Sequence, residues 1–149
     1  MASVNVYLTF SGNCREAFDF YKSVFGGDYP YIGTFGEMPP VEGKETSEED
    51  KNKIMHVSLP ISKETVLMGS DTAGEWASQL KVGNNLAISI NAESKEEADQ
   101  LFNGLSAGGQ ITMPLADTFW GAYFGMFTDK FDINWMVNYD DPAKAQQHP

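Results

Sequence analysis

A strand, a capped amphipathic helix and a glycine pair occur twice in this chain at a nearly fixed offset, and that repetition limits the fold more than any other feature. In the first copy, Asn13 and Glu16 have the spacing of a capping box, with Asn13 accepting from first-turn amides and Glu16 reaching back. Ala17, Tyr21, Val24 and Phe25 then recur at three- and four-residue spacing as one apolar stripe, while Arg15, Glu16, Asp19, Lys22 and Ser23 mostly face elsewhere. Gly26 and Gly27 end the helix, because glycine enters the left-handed backbone region without a steric cost. In the second copy Ser94 and Glu97 form the box, Ala98, Leu101, Phe102 and Leu105 the stripe, and Gly108 and Gly109 the stop. Glu16-Ala17 aligns with Glu97-Ala98 at an offset of 81, and one extra residue in the second copy aligns the glycine pairs. A repeat of this size is a strand-helix-sheet module, too large for a solenoid unit, so the expected architecture is α+β with two modules.

Strand periodicity fills in the rest of each module. Val4, Val6, Leu8 and Phe10 alternate with Asn5, Tyr7 and Thr9, and Leu86, Ile88 and Ile90 alternate with Asn85, Ala87, Ser89 and Asn91. Residues 28–35 read as an edge strand broken by Pro30 and Gly33, and residues 37–53 as an exposed loop, either a lid or plain surface. Strands follow at 54–59 and 66–71, then a connection at 72–83 that includes Trp76. In the second half, strands are expected at 110–115, across the aromatic segment D-T-F-W-G-A-Y-F-G-M-F with both faces covered, and at 133–139. The modules are thus about 1–71 and 84–139 within one domain of 149 residues, with a polar tail from residue 140.

Bulk properties narrow the function classes. The net charge of −11 repels nucleic-acid phosphate and anionic lipid and favours cationic ligands, although an acidic surface is also ordinary for a soluble protein. Cys14 is the single cysteine, so neither an intrachain disulfide nor a thiolate zinc cluster is available, and a small packing role suits it. No apolar run is long enough to span a bilayer, and the first residues lead straight into a strand without a secretory pattern, so the expected location is the cytoplasm.

Taken in order, the chain resembles the vicinal oxygen chelate superfamily of glyoxalases, bleomycin-resistance proteins and extradiol dioxygenases, and within it the PhnB-like branch. The residues that carry the likeness are Y-L-T-F-S-G-N-C-R-E-A-F-D-F-Y-K-S-V-F-G-G, I-M-H-V-S-L, V-L-M-G-S-D and D-T-F-W-G-A-Y-F-G-M-F-T-D-K-F. The resemblance implies paired βαβββ modules of the glyoxalase-like fold, each curving a sheet around a cavity, and commonly a homodimer. It also implies metal ligands from the first and last strands of each module. Laid on this sequence, those positions hold Asn5, Met68, Asn85 and Met136 where the family has His, Glu or Gln. Thioethers suit soft Cu(I) and neutral amides bind Zn, Fe or Ni weakly, so no metal and no other cofactor is expected.

Strand parity then leaves a lined pocket of Asn5, Tyr7, His56, Ser58, Met68, Asn85, Trp120, Phe124 and Met136, which suits a small organic molecule. His56 is the candidate for proton transfer, and the alternative is an imidazole satisfied by Ser58, Tyr7 or a backbone group, with Asp71 and Asp117 as partners only if the fold brings them near. Tyr7, Trp120 and Phe124 have packing roles as their alternatives. The function expected is small-molecule binding without a metal. The alternative is a lyase, isomerase or dioxygenase type of enzyme with His56 as general acid or base. A 3-demethylubiquinone 3-methyltransferase label attaches to PhnB-like chains, yet no glycine-rich strand-to-helix turn for a nucleotide-bearing methyl donor is present. A purely associative role, with Trp76 and the aromatic segment between protomers, is the remaining alternative.

Overall fold

A computed structural model describes residues 2–37 and 46–142, so the 38–45 part of the predicted loop and the end of the tail from 143 lie outside the described residues, as does the Trp76 side chain. Two compact units divide the chain, Met1–Lys81 and Val82–Pro149. The first runs β1 (Val6–Phe10), α1 (Cys14–Phe25), β2 (Tyr31–Thr34), β3 (Ile54–Pro60) and β4 (Val66–Asp71); the second runs β5 (Ile88–Asn91), α2 (Lys95–Ser106), β6 (Gln110–Asp117), β7 (Ala122–Thr128) and β8 (Asn134–Asp140). Both are βαβββ, and the fold class is α+β. The sheet orders, β1-β4-β3-β2 and β5-β8-β7-β6, follow the same plan. In each the first strand pairs in parallel with the last, across the helix, and the remaining pairs are antiparallel.

Each helix covers one face of its own sheet. Cys14, Ala17, Phe18 and Tyr21 are buried on α1, over Phe10, Ile54, Val57, Leu59 and Leu67; Ala98, Leu101, Phe102 and Leu105 are buried on α2, with Phe127, Trp135 and Val137. Phe18 joins the predicted stripe of α1, whose far end at Val24 and Phe25 is only half-buried. Both helices press a phenylalanine onto a strand glycine. A Cβ on Gly69 would stand 2.7 Å from Phe18 Cε1, and one on Gly125 would stand 2.7 Å from Phe102 Cε2. Gly69 of β4 pairs with Val57 of β3, whereas Gly125 of β7 pairs with Val137 of β8. The two units therefore solve one packing problem with glycine and valine exchanged between neighbouring strands.

The helix ends correct part of the sequence reading. Asn13 makes no side-chain cap; the Cys14 and Gly12 amides donate instead to Asp71 Oδ1, both at 2.9 Å. Asp71 Oδ2 accepts from Ile54 N at 2.8 Å, so one buried carboxylate ties the helix start to two strands. The Ser94 cap does form, with Glu97 N donating to Ser94 Oγ at 3.0 Å, but the Glu97 carboxylate reaches past the N-cap amide that a capping box uses and accepts from Glu93 N at 2.9 Å. Gly26, Gly27 and Gly108 have φ of 81°, 84° and 77°, as the stop requires. Gly109 does not; its glycine is demanded by the Thr128 carbonyl, which leaves no room for a Cβ.

Three strand readings also change. Val4 and Leu86 are 94% and 82% exposed and lie ahead of β1 and β5, so Asn85 is off the strand. β6 extends to Asp117. The aromatic segment is not one covered strand, because Phe119 and Trp120 fall in the β6–β7 turn and Phe119 is 96% exposed.

Candidate functional site

With α1 occupying one face of the first sheet, alternation sends Tyr7, Met68, Ser58 and Tyr31 to the other. Register places them in a single line across all four strands: Tyr7 opposite Met68, Met68 opposite Ser58, Ser58 opposite Tyr31. His56 stands one pleat along β3, opposite Gly33. Both end tyrosines lean toward it. Tyr7 Oη lies 3.3 Å from His56 Nδ1 with the rings stacked at 5.7 Å, and the Tyr31 ring centre is 5.8 Å from the imidazole. Gly33 makes the second approach possible, since a Cβ there would meet Tyr31 Oη at 2.7 Å. Tyr7 and Tyr31 remain about half exposed, so the group offers solvent two aromatic faces around one titratable ring.

A phenol beside a neutral imidazole nitrogen donates to it, and an imidazolium donates back to the phenol oxygen, so the contact survives either protonation state of His56. No carboxylate is bonded to His56 among the described residues. Both oxygens of Asp71 serve the backbone amides of Gly12, Cys14 and Ile54. Asp117 pairs with Lys95 at 3.7 Å in the second unit. Met68 and Ser58 line the floor between the two tyrosines, while Asn5 is committed to structure, its Oδ1 accepting from Val66 N at 3.1 Å.

Trp120 and Phe124 are in ring contact at 6.3 Å, and Phe119 packs edge-on against Trp120 at 5.0 Å. Met136 lies in a line with Ser89, Met126 and Met113 on the face away from α2. Asn85 joins neither group.

Asn5, Met68, Asn85 and Met136, where the resemblance leads one to expect metal ligands, carry poor donors for a divalent ion. Asn5 spends its oxygen on Val66, Met68 and Met136 offer thioethers, and Asn85 sits outside β5. No three His, Cys, Asp or Glu side chains converge among the described residues. A depression of about 350 Å³ lies elsewhere, around the start of α1, lined by Gly12, Asn13, Arg15 and Asp71 among others. Its buried acid is the one already saturated by amides. Cys14 beneath it is fully buried, and burial followed by the nearby Asp71 charge pushes its thiol far above the ordinary range, which makes it inert.

Tyr31 is the site residue that sequence reading missed. It lies in the segment read as a broken edge strand, but the pairing that brings it to Ser58 and His56 depends on register across the 19 residues between Thr34 and Ile54.

A family model described as Glyoxalase/Bleomycin resistance protein/Dioxygenase superfamily matches residues 3–137. Protein YjdN of Escherichia coli (strain K12) is 31% identical over 140 residues, covering 89% of this chain and 91% of that protein. The crystal structure of protein PA1353 from Pseudomonas aeruginosa has a TM-score of 0.79 at 40% identity, covering 94% of this chain and 98% of that one. A structure from Bacillus cereus named putative 3-demethylubiquinone-9 3-methyltransferase, PhnB protein, has a TM-score of 0.72 at 22% identity, with 93% and 99% covered; it supports the fold.

Proposed function

The chain belongs to the Glyoxalase/Bleomycin resistance protein/Dioxygenase superfamily, and from that premise we propose that it binds a small, planar, partly polar organic molecule against Tyr7, His56 and Tyr31. The observation that carries this reading is the convergence of both tyrosine rings, from opposite sides of one sheet face, on a single imidazole. Aromatic walls supply contact area at low entropic cost, and Ser58 and His56 supply hydrogen bonds that fix orientation. Met68 gives the floor an adaptable apolar surface. Binding proceeds without the divalent ion of metal-using relatives, because the donors at those positions are amides and thioethers; protein purified without chelator is expected to carry no stoichiometric Zn, Ni, Mn or Fe.

A second reading is favoured by the 3.3 Å contact between Tyr7 Oη and His56 Nδ1. With Nδ1 held by the phenol, Nε2 is the nitrogen that exchanges a proton with a bound carbonyl-containing or aromatic substrate, which is general acid or base catalysis of the lyase or isomerase type. The methyltransferase activity in the name of the Bacillus cereus protein is not carried over, since Ser11-Gly12-Asn13 between β1 and α1 is no glycine-rich nucleotide loop. The net charge of −11 disfavours nucleic acid as a partner. A cytoplasmic homodimer completes the proposal, testable by sedimentation and fractionation.

The test is a compound-library screen by native mass spectrometry on the wild type, Tyr7→Ala and Tyr31→Ala. The reading requires at least one compound retained by the wild type and lost from both variants. Retention unchanged in both, or no retained compound at all, contradicts it.

A further inference from the structure

Three of the chain's seven methionines, Met113, Met126 and Met136, lie side by side on β6, β7 and β8. Met126 is the direct partner of both others, opposite Met113 on one side and Met136 on the other. This line requires an irregularity. Ile111 pairs with buried Phe127, on the face that α2 covers, and two residues of regular strand would keep Met113 on that same face. A register shift between Ile111 and Met113 advances β6 by two residues against one on β7 and turns Met113 to the opposite face, beside Met126. Bulges re-aim side chains in this way and concentrate at functional edges. Met113 is 42% exposed and the other two are half-buried, so the row of side chains is reachable from solvent.

We propose that Met113, Met126 and Met136 form a thioether site for a soft monovalent metal ion, Cu(I) or Ag(I). Directly opposed strand residues stand about 4.5–5.5 Å apart at Cα, and a methionine has three rotatable bonds, so the outer two sulfurs can fold over the central strand toward Met126. Neutral thioethers select soft ions and bind hard or borderline divalent ions poorly, and no His, Cys or carboxylate joins the line to change that preference. The net charge of −11 raises the local concentration of any cation. The proposal is independent of the Tyr7–His56–Tyr31 reading, since it uses none of those residues.

The test uses full-length protein labelled at the methionine methyl carbons, titrated with Ag(I), and with Cu(I) under anaerobic ascorbate. One equivalent is expected to saturate, moving the Met113, Met126 and Met136 methyl signals together. Even partners one layer beyond a metal typically cost 10- to 100-fold in affinity, so losing the central ligand in Met126→Leu should weaken binding by about 100-fold. Met55→Leu should bind as the wild type does. Undiminished affinity in Met126→Leu would place the ion away from this row and overturn the site. Absence of saturable methyl shifts in the wild type would overturn it as well.

Discussion

Tyr7 Oη stands 3.3 Å from His56 Nδ1 although 49 positions separate the residues, because β4 lies between their strands and the tyrosine side chain reaches over it. In the neutral state the phenol donates to Nδ1 and the ring proton therefore resides on Nε2. Nitrogen NMR of the ligand-free protein is expected to show that tautomer, and Tyr7→Phe to relax it toward a mixture. Loss of one such hydrogen bond is worth about 1 kcal/mol at most at this exposed site, so Tyr7→Phe should lower the unfolding free energy by no more than that.

Asp71 accepts three backbone amides, from Gly12, Cys14 and Ile54, and is almost wholly buried. Removing it strands those donors. Asp71→Ala is expected to lower the unfolding free energy by about 3 kcal/mol or more, and Asp71→Asn, which keeps one acceptor oxygen, by less. Urea denaturation measures both.

Cys14 has no exposed surface and its thiol is held protonated by burial and then by the Asp71 charge. A disulfide reagent at pH 8 should leave it unmodified in native protein and label it at once in denaturant. Rapid labelling of the native state would contradict the packing of α1 on its sheet.

Asp50 joins Lys53 at 2.8 Å and accepts from Gly74 N at 3.1 Å; the lysine and then the amide hold its carboxyl below the ordinary 3.8. A lowered folded-state value means that this contact is fully present above the unfolded value and is lost as pH falls through the folded one. The Gly74 amide signal should therefore titrate with a midpoint below pH 3.8. In Asp50→Asn the transition should vanish.

Gly69 and Gly125 each lie beneath a helix phenylalanine at a distance no Cβ tolerates. Gly69→Ala and Gly125→Ala should each destabilise by about 1–3 kcal/mol through overpacking. Gly83→Ala is the control, because its nearest neighbour, Asn85 Oδ1, is an ordinary 3.6 Å away.

The repeat made most of the fold readable. A duplicated capping box, apolar stripe and glycine stop define a helix from local spacing alone, and the stripe of α2 was found residue for residue. What failed was nonlocal. The acceptor for the start of α1 comes from Asp71, 57 positions from Cys14, so Asn13 looked like the cap only in isolation. Phe18, buried on α1, is absent from the predicted stripe although it continues the spacing from Cys14 to Tyr21. Parity put Tyr7 and Ser58 on the face with Met68 and placed His56 beside them. It had no means of adding Tyr31, whose place comes from pairing with Ser58, nor of foreseeing the bulge that turns Met113 over.

Imidazole NMR during titration with a captured compound decides whether the face built on Tyr7, His56 and Tyr31 holds the ligand. Saturable shifts of the His56 ring signals are expected, following the same binding curve as the compound and weakening in Tyr31→Ala. Saturation of the protein by that compound with the His56 signals unmoved would contradict that placement.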